Sequence, residues 1–397
     1  METGVDAIRG RVRPASEEER REAHRALRSL SRPRLTGSEG AGEVETEIRQ
    51  RFEGLGYQVD TVPFRFSTWP GMYGLVAAGV LVSIGAVVAT SLLLARSPGA
   101  AALGLAAIGG ALAVAGTNAG RAIESLPFGR REARNLLARW PGASPRYVIV
   151  AHRDSKSQPL STSLRVAALV LAGVGWSALL ALCGLAAVEW TRFWTPLSVG
   201  AGTLALAGGV LLARCRAGNG SPGALDNATG LAAALGIARR ERGRGDVAFL
   251  ITEAEELGMA GAAAAARRLP PVDGIINLDG LDDDGDFYII ERYGWLRRRR
   301  ALSPHLTAAV LAAAEALGFR ANRRDLPPGV LTEHATFIRS GFPAVTVVRG
   351  TAASLRRVHR PEDDVSMLTG RGVAATIALV AGMLEALRGP TQRTRQG

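Results

Sequence analysis

The sequence predicts an α/β fold with a mixed, mostly parallel central sheet, combined with a four-helix transmembrane bundle inserted as two hairpins. Three observations carry this. Mean hydropathy is positive, +0.11, although 21% of the 397 residues are charged. Four long stretches hold no charge at all. The rest of the chain alternates short apolar runs with helix-period segments, the pattern of a parallel sheet covered by helices. This composition excludes a disordered chain, a collagen-like chain and a coiled coil. Cys183 and Cys215 are the only two cysteines, too few for a disulfide-rich secreted module.

The charge-free stretches are residues 71–95, 97–120, 166–188 and 193–213. Each is long enough to cross a hydrocarbon core of ~30 Å, which takes roughly 20 apolar residues. Buried helices of a soluble protein usually keep polar residues on one face, and these do not. Trp69, Trp190 and Trp194 stand at span ends, where interfacial tryptophans belong. Short links, Arg96 in one hairpin and residues 189–192 in the other, join the spans in pairs. The polar first 70 residues lack the pattern of a signal peptide. The far-side links carry only Arg96 and Arg192. The near side carries Arg65, Arg121, Arg130, Arg131, Arg134, Lys156, Arg165, Arg214 and Arg216. The positive-inside rule therefore predicts a multi-pass protein of a bacterial inner or plasma membrane with its bulk in the cytoplasm.

Net charge is +12, and all but one of the 48 basic residues are arginine, the exception being Lys156. Most of these arginines read as scattered solvated side chains, and no nucleic-acid partner is expected. The cluster at 297–300 reads either as a contact with anionic headgroups or as a solvated loop. The acidic run 282–286 lacks the spacing of a calcium loop and reads as an exposed turn.

Outside the spans, residues 57–66, 135–140 and 146–151 read as strands, and 246–252, 274–279 and 344–348 as buried strands. Helices are expected at 227–240, 256–268, 304–317 and 372–387. The soluble domain is thus discontinuous, covering 1–70, 121–165 and 214–390. The hairpins are 71–120 and 166–213, and 391–397 is a disordered tail.

Few residues can do chemistry here. Of the five histidines, His24 and His305 lie in polar helical surroundings and read as surface residues. His152 follows a strand in Ala-His-Arg-Asp-Ser, with Asp154 two residues on, able to hold the imidazole. Asp226 lies in a Gly-containing turn before a helix. Glu255 and Glu256 follow a strand, Asp279 ends one, and His359 lies in Val-His-Arg-Pro-Glu-Asp. These positions fall at the carboxyl ends of strands or at helix starts, the edge where open α/β sheets bind ligands. Two histidines and several carboxylates brought together there form an N,O donor set suited to zinc.

In this order the motifs resemble the co-catalytic zinc aminopeptidase family, which includes bacterial leucyl aminopeptidase, aminopeptidase S and, more distantly, glutamate carboxypeptidase and the transferrin receptor. The resemblance starts at Pro33-Arg-Leu-Thr-Gly-Ser38 and runs through His152-Arg-Asp-Ser155, Gly223-Ala-Leu-Asp-Asn-Ala-Thr-Gly230 and Glu255-Glu-Leu-Gly-Met-Ala-Gly261. It continues in Asn277-Leu-Asp279 and Thr332-Glu-His334 and closes at His359-Arg-Pro-Glu-Asp363. It implies a three-layer zinc-peptidase fold and two zinc ions. His152 and Asp279 would hold one ion and Glu256 and His359 the other, with Asp226 between them. Glu255 would be the general base, and Asp154 would orient His152. Departures are Val358 for an aromatic, Glu333 for an aspartate and Leu225 for an aspartate beside the bridging residue.

The implied activity is that of a membrane-anchored zinc exopeptidase, an aminopeptidase releasing amino-terminal residues from peptides, hydrophobic or membrane-associated ones among them. The alternatives are a glutaminyl-cyclase-like zinc acyltransferase and an inactive peptidase-like receptor or scaffold. If the first three strands form an antiparallel meander, both hairpins leave the sheet at the edge bearing these residues. The linking segments, 155–165 and 214–225, are short, at no more than ~3.6 Å per residue.

Overall fold

In the computed structural model of the chain, residues 10–188, 194–292, 303–326 and 331–389 are described. The chain divides into two compact units, one within 1–65, 132–156 and 219–397, the other within 66–131 and 157–218.

The first unit is built on an eight-stranded sheet. Its strands are β1 (Gln58–Ser67), β2 (Arg130–Arg139), β3 (Tyr147–His152), β4 (Val247–Thr252), β5 (Gly274–Leu281), β6 (Asp286–Ile290), β7 (Ala321–Arg323) and β8 (Ala344–Gly350), in the order β1-β2-β4-β3-β5-β8-β6-β7. The four central strands run parallel. β2 is antiparallel to β4, and β6 to β8. Every residue of β3 and β4 is buried, which requires cover on both faces. Ile149, Ala151, Phe249 and Ile251 face one core, under α1 (Glu17–Leu30), α8 (Thr229–Arg240), α10 (Pro304–Leu317) and α13 (Arg371–Arg388). Val148, Val150 and Leu250 face the other, under α9 (Ala260–Ala266) and α11 (His334–Arg339). The period-2 alternation of strand side chains thus makes three layers.

Three expectations change. β4 inserts between β2 and β3, so the first three strands are not a meander. A fully buried parallel strand such as β4 needs a neighbour on each side, and β2, exposed over its first residues, suits a place toward the sheet edge. β2 still starts at the edge where β3 and β4 end. Second, the helix expected from 256 starts only at Ala260, because Ala254, Gly258 and Met259 adopt positive φ and keep the preceding segment as a loop. Third, the acidic run is an exposed turn only at Asp284 and Gly285, for Asp282 and Asp283 are buried. Asp283 accepts the Gly372 N–H at 2.8 Å and the Thr369 hydroxyl at 2.7 Å, capping α13, while Asp282 accepts from Ser354 and Arg357, both at 2.6 Å. The cluster 297–300, the link 189–192 and the tail 391–397 lie outside the described residues.

The sequence reading placed His24 in helical surroundings without giving bounds to α1, and assigned nothing to α2 (Glu39–Gly54). Their signals are local. Ser16 and Glu19 form a reciprocal capping box, with three glutamates in the first turn, and Ser38 caps α2.

The second unit holds α3 (Trp69–Leu94), α4 (Pro98–Thr117), α5 (Ala119–Ser125), α6 (Thr162–Val188) and α7 (Trp194–Ala213). All but α5 are long and apolar enough to cross a membrane. Large apolar residues such as Ile84, Val87, Val114 and Val174 stay about half exposed, as a lipid-facing surface requires. Glycine sets how closely the helices approach. A Cβ on Gly175 would lie 2.3 Å from the Ala205 nitrogen, and one on Gly208 would lie 2.5 Å from the Ala172 nitrogen, so α6 and α7 touch backbone to backbone.

Gly175→Leu should therefore force these helices apart and destabilise the bundle by about 1–3 kcal/mol. Cys183 and Cys215 are both buried in this unit and report its opening to a thiol-reactive dye. The dye should react at a lower temperature in Gly175→Leu than in the parent. Gly110→Leu, at a position with no neighbouring atom within 4 Å, should match the parent.

Candidate metal centre

The centre is assembled at the carboxyl edge of the sheet by strand register. β3 and β4 pair from Tyr147 with Val247 to His152 with Thr252, so His152 stands level with the start of the loop carrying Glu255 and Glu256. Asp154 then locks that loop. Its carboxylate accepts the N–H of Glu255 at 3.1 Å and of Glu256 at 3.0 Å, and the Thr36 hydroxyl at 3.3 Å. The imidazole is held differently from the sequence expectation. His152 Nδ1 lies 3.1 Å from the main-chain carbonyl of Asp154 and 3.7 Å from its carboxylate.

Asp226 sits in the turn that opens α8. Asp363 accepts the Leu225 N–H at 2.7 Å and the Asp226 N–H at 3.1 Å. The next residue, Asn227, donates to the Leu278 carbonyl at 2.8 Å, tying this turn to β5 just before Asp279. Gly223 has φ 58°, and a Cβ there would lie 2.6 Å from the Ser155 side chain. Below it, the fully buried guanidinium of Arg34 donates, among the described residues, only to carbonyls, those of Arg32, Arg153, Pro222 and Gly223. It joins three loops into one support. His359 takes up φ 65°, a conformation unusual for a residue with a Cβ and one that the surroundings must hold.

All five proposed ligands converge. His152 Nε2 is 3.1 Å from Asp226 and 3.8 Å from Asp279. His359 Nε2 is 3.1 Å from Asp226 and 3.0 Å from Glu256. They form two groups, His152–Asp226–Asp279 and Asp226–Glu256–His359, each with its donor atoms within 4.8 Å of one another. Asp226 belongs to both.

These residues fit a metal on chemical grounds. With Nδ1 engaged by a carbonyl, His152 presents its Nε2 lone pair to two carboxylates, and this buried nitrogen has no hydrogen-bond partner. Acceptors facing acceptors in a buried site call for a cation between them. Glu256 Oε1 is likewise buried without a partner. The titration of the groups shows how strongly the carboxylates favour positive charge between them. Burial works against a charged His152, yet Asp154, Asp226 and Asp279 hold its pKa well above the ordinary value. Burial works against an ionised Asp226, yet His152 and His359 hold its pKa well below. Glu255 is pushed well up by burial, opposed by His152 and assisted by Glu256 and Asp279.

Several residues that shape the centre carried no role in the sequence reading: Arg34, Asp363, Lys156 and Glu333. Arg34 and Asp363 lie inside the recognised motifs, and Lys156 is conspicuous only as the lone lysine. Glu333 is fully buried, accepts the Thr252 hydroxyl at 2.9 Å and is raised by burial to about 8. Its neighbour His334 stands apart from both groups. Its Nδ1 meets the hydroxyls of Thr332 and Thr346, and its Nε2 meets the Arg292 carbonyl. His24 is half-buried and His305 exposed.

A profile described as peptidase family M28 matches residues 135–384. No curated protein matches by sequence. Among solved structures, the aminopeptidase from Aneurinibacillus sp. strain AM-1 is similar at TM-score 0.54 and 15% identity, over 96% of this chain and 95% of that one. A leucine aminopeptidase precursor from Bacteroides thetaiotaomicron is similar at 0.54 and 12%, over 94% and 97%. The glutaminyl cyclase of the same organism is similar at 0.55 and 12%, over 94% and 98%. At these identities the likeness is one of fold.

Two predictions follow from the packing of the centre. Asp363→Ala removes the acceptor for two N–H groups at Asp226, and should weaken zinc binding by about 10–100-fold in a chelator competition. His334 is lowered by burial to about 4. A folded-state value below the unfolded 6.5 means that its contribution is complete above pH ~6.5 and is lost as pH falls toward 4, by up to about 3 kcal/mol. His334→Gln should flatten the fall in thermal midpoint between pH 6.5 and 4.5 relative to the parent.

Proposed function

The chain belongs to peptidase family M28, and from that premise we propose that it is a membrane-anchored zinc exopeptidase, an aminopeptidase that releases amino-terminal residues from peptides. The observation that carries this reading is the pair of three-residue donor groups sharing Asp226, with Glu255 beside them. His152 and Asp279 are assigned to one zinc ion, Glu256 and His359 to the other, and Asp226 to both. Bound zinc supplies Lewis acidity and lowers the pKa of water.

The chain's own residues do the rest. Glu255 takes the proton of the attacking water and passes it to the departing amine. Burial and the neighbouring carboxylates raise its proton affinity, which suits a group that must both hold and release a proton near neutral pH. Asp154 fixes the main chain at Glu255 and Glu256, so the base and a ligand move as one piece. Asp363 and Arg34 fix the turn that presents Asp226.

The four apolar helices support membrane anchoring, and the arginine asymmetry supports a cytoplasmic catalytic unit. The short links between the proposed ligands and the spans support hydrophobic or membrane-associated peptides as substrates. Glutaminyl cyclases share the fold, so a one-zinc acyltransferase is the competing reading. The second donor group favours two ions and hydrolysis.

Purified in detergent, the full chain should contain two zinc ions and cleave aminoacyl anilides. One zinc together with cyclisation of amino-terminal glutamine would favour the competing reading. Glu255→Gln should lower kcat by about 10²–10⁴ with zinc content unchanged, and full activity in that variant would refute the assigned base. A cysteine introduced at Arg192 should react with an impermeant maleimide on intact cells, and protection there would reverse the assigned orientation.

A further inference from the structure

At one end of the apolar unit, α3 and α6 begin and α4 and α7 finish. The segments beside that end, 118–131 and 214–218, carry Arg121, Arg130, Arg131, Arg214 and Arg216 against one acid, Glu124. All five arginines are exposed. The guanidiniums of Arg131, Arg214 and Arg216 hydrogen-bond no protein acceptor among the described residues, and Arg130 bonds only through Nη1. In the α/β unit, exposed arginines such as Arg65, Arg146 and Arg244 are answered by carboxylates.

These arginines border an aromatic platform. Trp69 and Tyr73, one turn apart on α3, have ring centroids 6.3 Å apart, and Phe128 stands edge-on to Trp69 at 5.6 Å. Arg216 lies over the Tyr73 ring, 5.2 Å from its centroid. The loop carrying Phe128 is fastened to the start of α3. The Thr68 N–H donates to the Gly129 carbonyl at 2.9 Å, and the Ser67 hydroxyl to the Phe128 carbonyl at 2.8 Å. Arg130 Nη1 donates to the carbonyls of Glu124 at 3.1 Å and Leu126 at 3.4 Å, which leaves Nε and Nη2 for another acceptor. Trp69 and Phe128 stay 38% and 49% exposed. Along α3 the stripe continues at helical spacing through Val80, Ile84 and Val87, all exposed.

We propose that this end of the unit is a binding site for an anionic phospholipid. Arg130 and Arg216, at the two sides of the rings, pair with the headgroup phosphate, whose oxygens match the guanidinium fork. The half-exposed rings sit at the level of the glycerol backbone, and an acyl chain follows the α3 stripe. Arg121, Arg131 and Arg214 supply a field that attracts a headgroup of net negative charge and repels the ammonium of a zwitterionic one. This rests on the membrane-spanning reading of the four helices.

The test titrates the full chain in neutral detergent with phosphatidylglycerol, or with phosphatidylcholine of the same acyl chains, and counts retained lipid by native mass spectrometry. The parent should retain phosphatidylglycerol at a concentration about tenfold or more lower. The double variant Arg130→Gln/Arg216→Gln should lose that preference, and Arg96→Gln, beyond the opposite end of α3, should keep it. Equimolar glycerol phosphate, which has the anion without the chains, should displace none of the lipid. Equal retention of the two lipids by the parent, or an unchanged preference in the double variant, would overturn the proposal and leave the membrane reading intact. Displacement by glycerol phosphate would assign the arginines to a soluble anion and overturn it too. A chain that stays dispersed without detergent and retains neither lipid would remove the membrane reading as well.

Discussion

The centre depends on the parallel register of β3 with β4, fastened at its end by one carboxylate. The register brings His152 level with Thr252, and Asp154 converts that level into a fixed loop by accepting two consecutive N–H groups. Glu255 and Glu256 then have little freedom left in their main chain. A strand pair of six residues, buried throughout, thus sets the relative heights of an imidazole and two carboxylates. A slip of one residue would turn each side chain to the opposite face of the sheet.

Around this frame the dominant physical fact is an excess of buried negative charge. Asp154, Glu256 and Asp363 are buried, Asp226 and Asp279 are nearly so, and the protein groups answering them are few. Arg34 spends its donors on carbonyls and compensates only through its field. Lys156 meets one carboxylate directly. The imidazoles are drawn toward protonation and Asp226 away from it, which is how a cluster with more carboxylates than cations lowers its energy. Such a cluster gains from metal ions what it cannot gain from packing. It also explains why the supporting contacts, Asp363 to the Asp226 turn and Asn227 to β5, are themselves buried hydrogen bonds.

The mostly parallel α/β fold, the four long apolar helices and the family were legible in the sequence because each leaves a strong signal. Charge-free runs stand out against a chain that is one-fifth charged, and buried strands such as 246–252 are continuous apolar runs. His152, Glu255, Glu256 and Asp279 stand at or just after strand ends and Asp226 opens a helix, positions that the sequence marks. What stayed hidden was non-local. Nothing in the residues 130–139 says that β4 will pair with them. The positive φ values at Ala254 and Met259 are imposed by tertiary contacts on residues with ordinary propensities, so the helix start was placed too early. Asp283 looked like a turn former and is a cap for a helix nearly ninety residues later. The role of Arg34 depends on carbonyls from three separate segments.

The double interruption of the α/β unit by apolar hairpins has a consequence for biosynthesis. β3 is complete long before β4 leaves the ribosome, and α6 and α7 are made in between. At typical translation rates of ~5–20 residues/s, that delay is on the order of ten seconds. During it, a strand that ends up buried along its whole length waits without its central partner while an apolar helical hairpin is made. β1 and β2 are neighbours and can pair early, but β3 joins the sheet only once β4 or β5 has been made. The unit can close only after the last of these apolar helices has been made, which ties assembly of the candidate metal centre to their delivery.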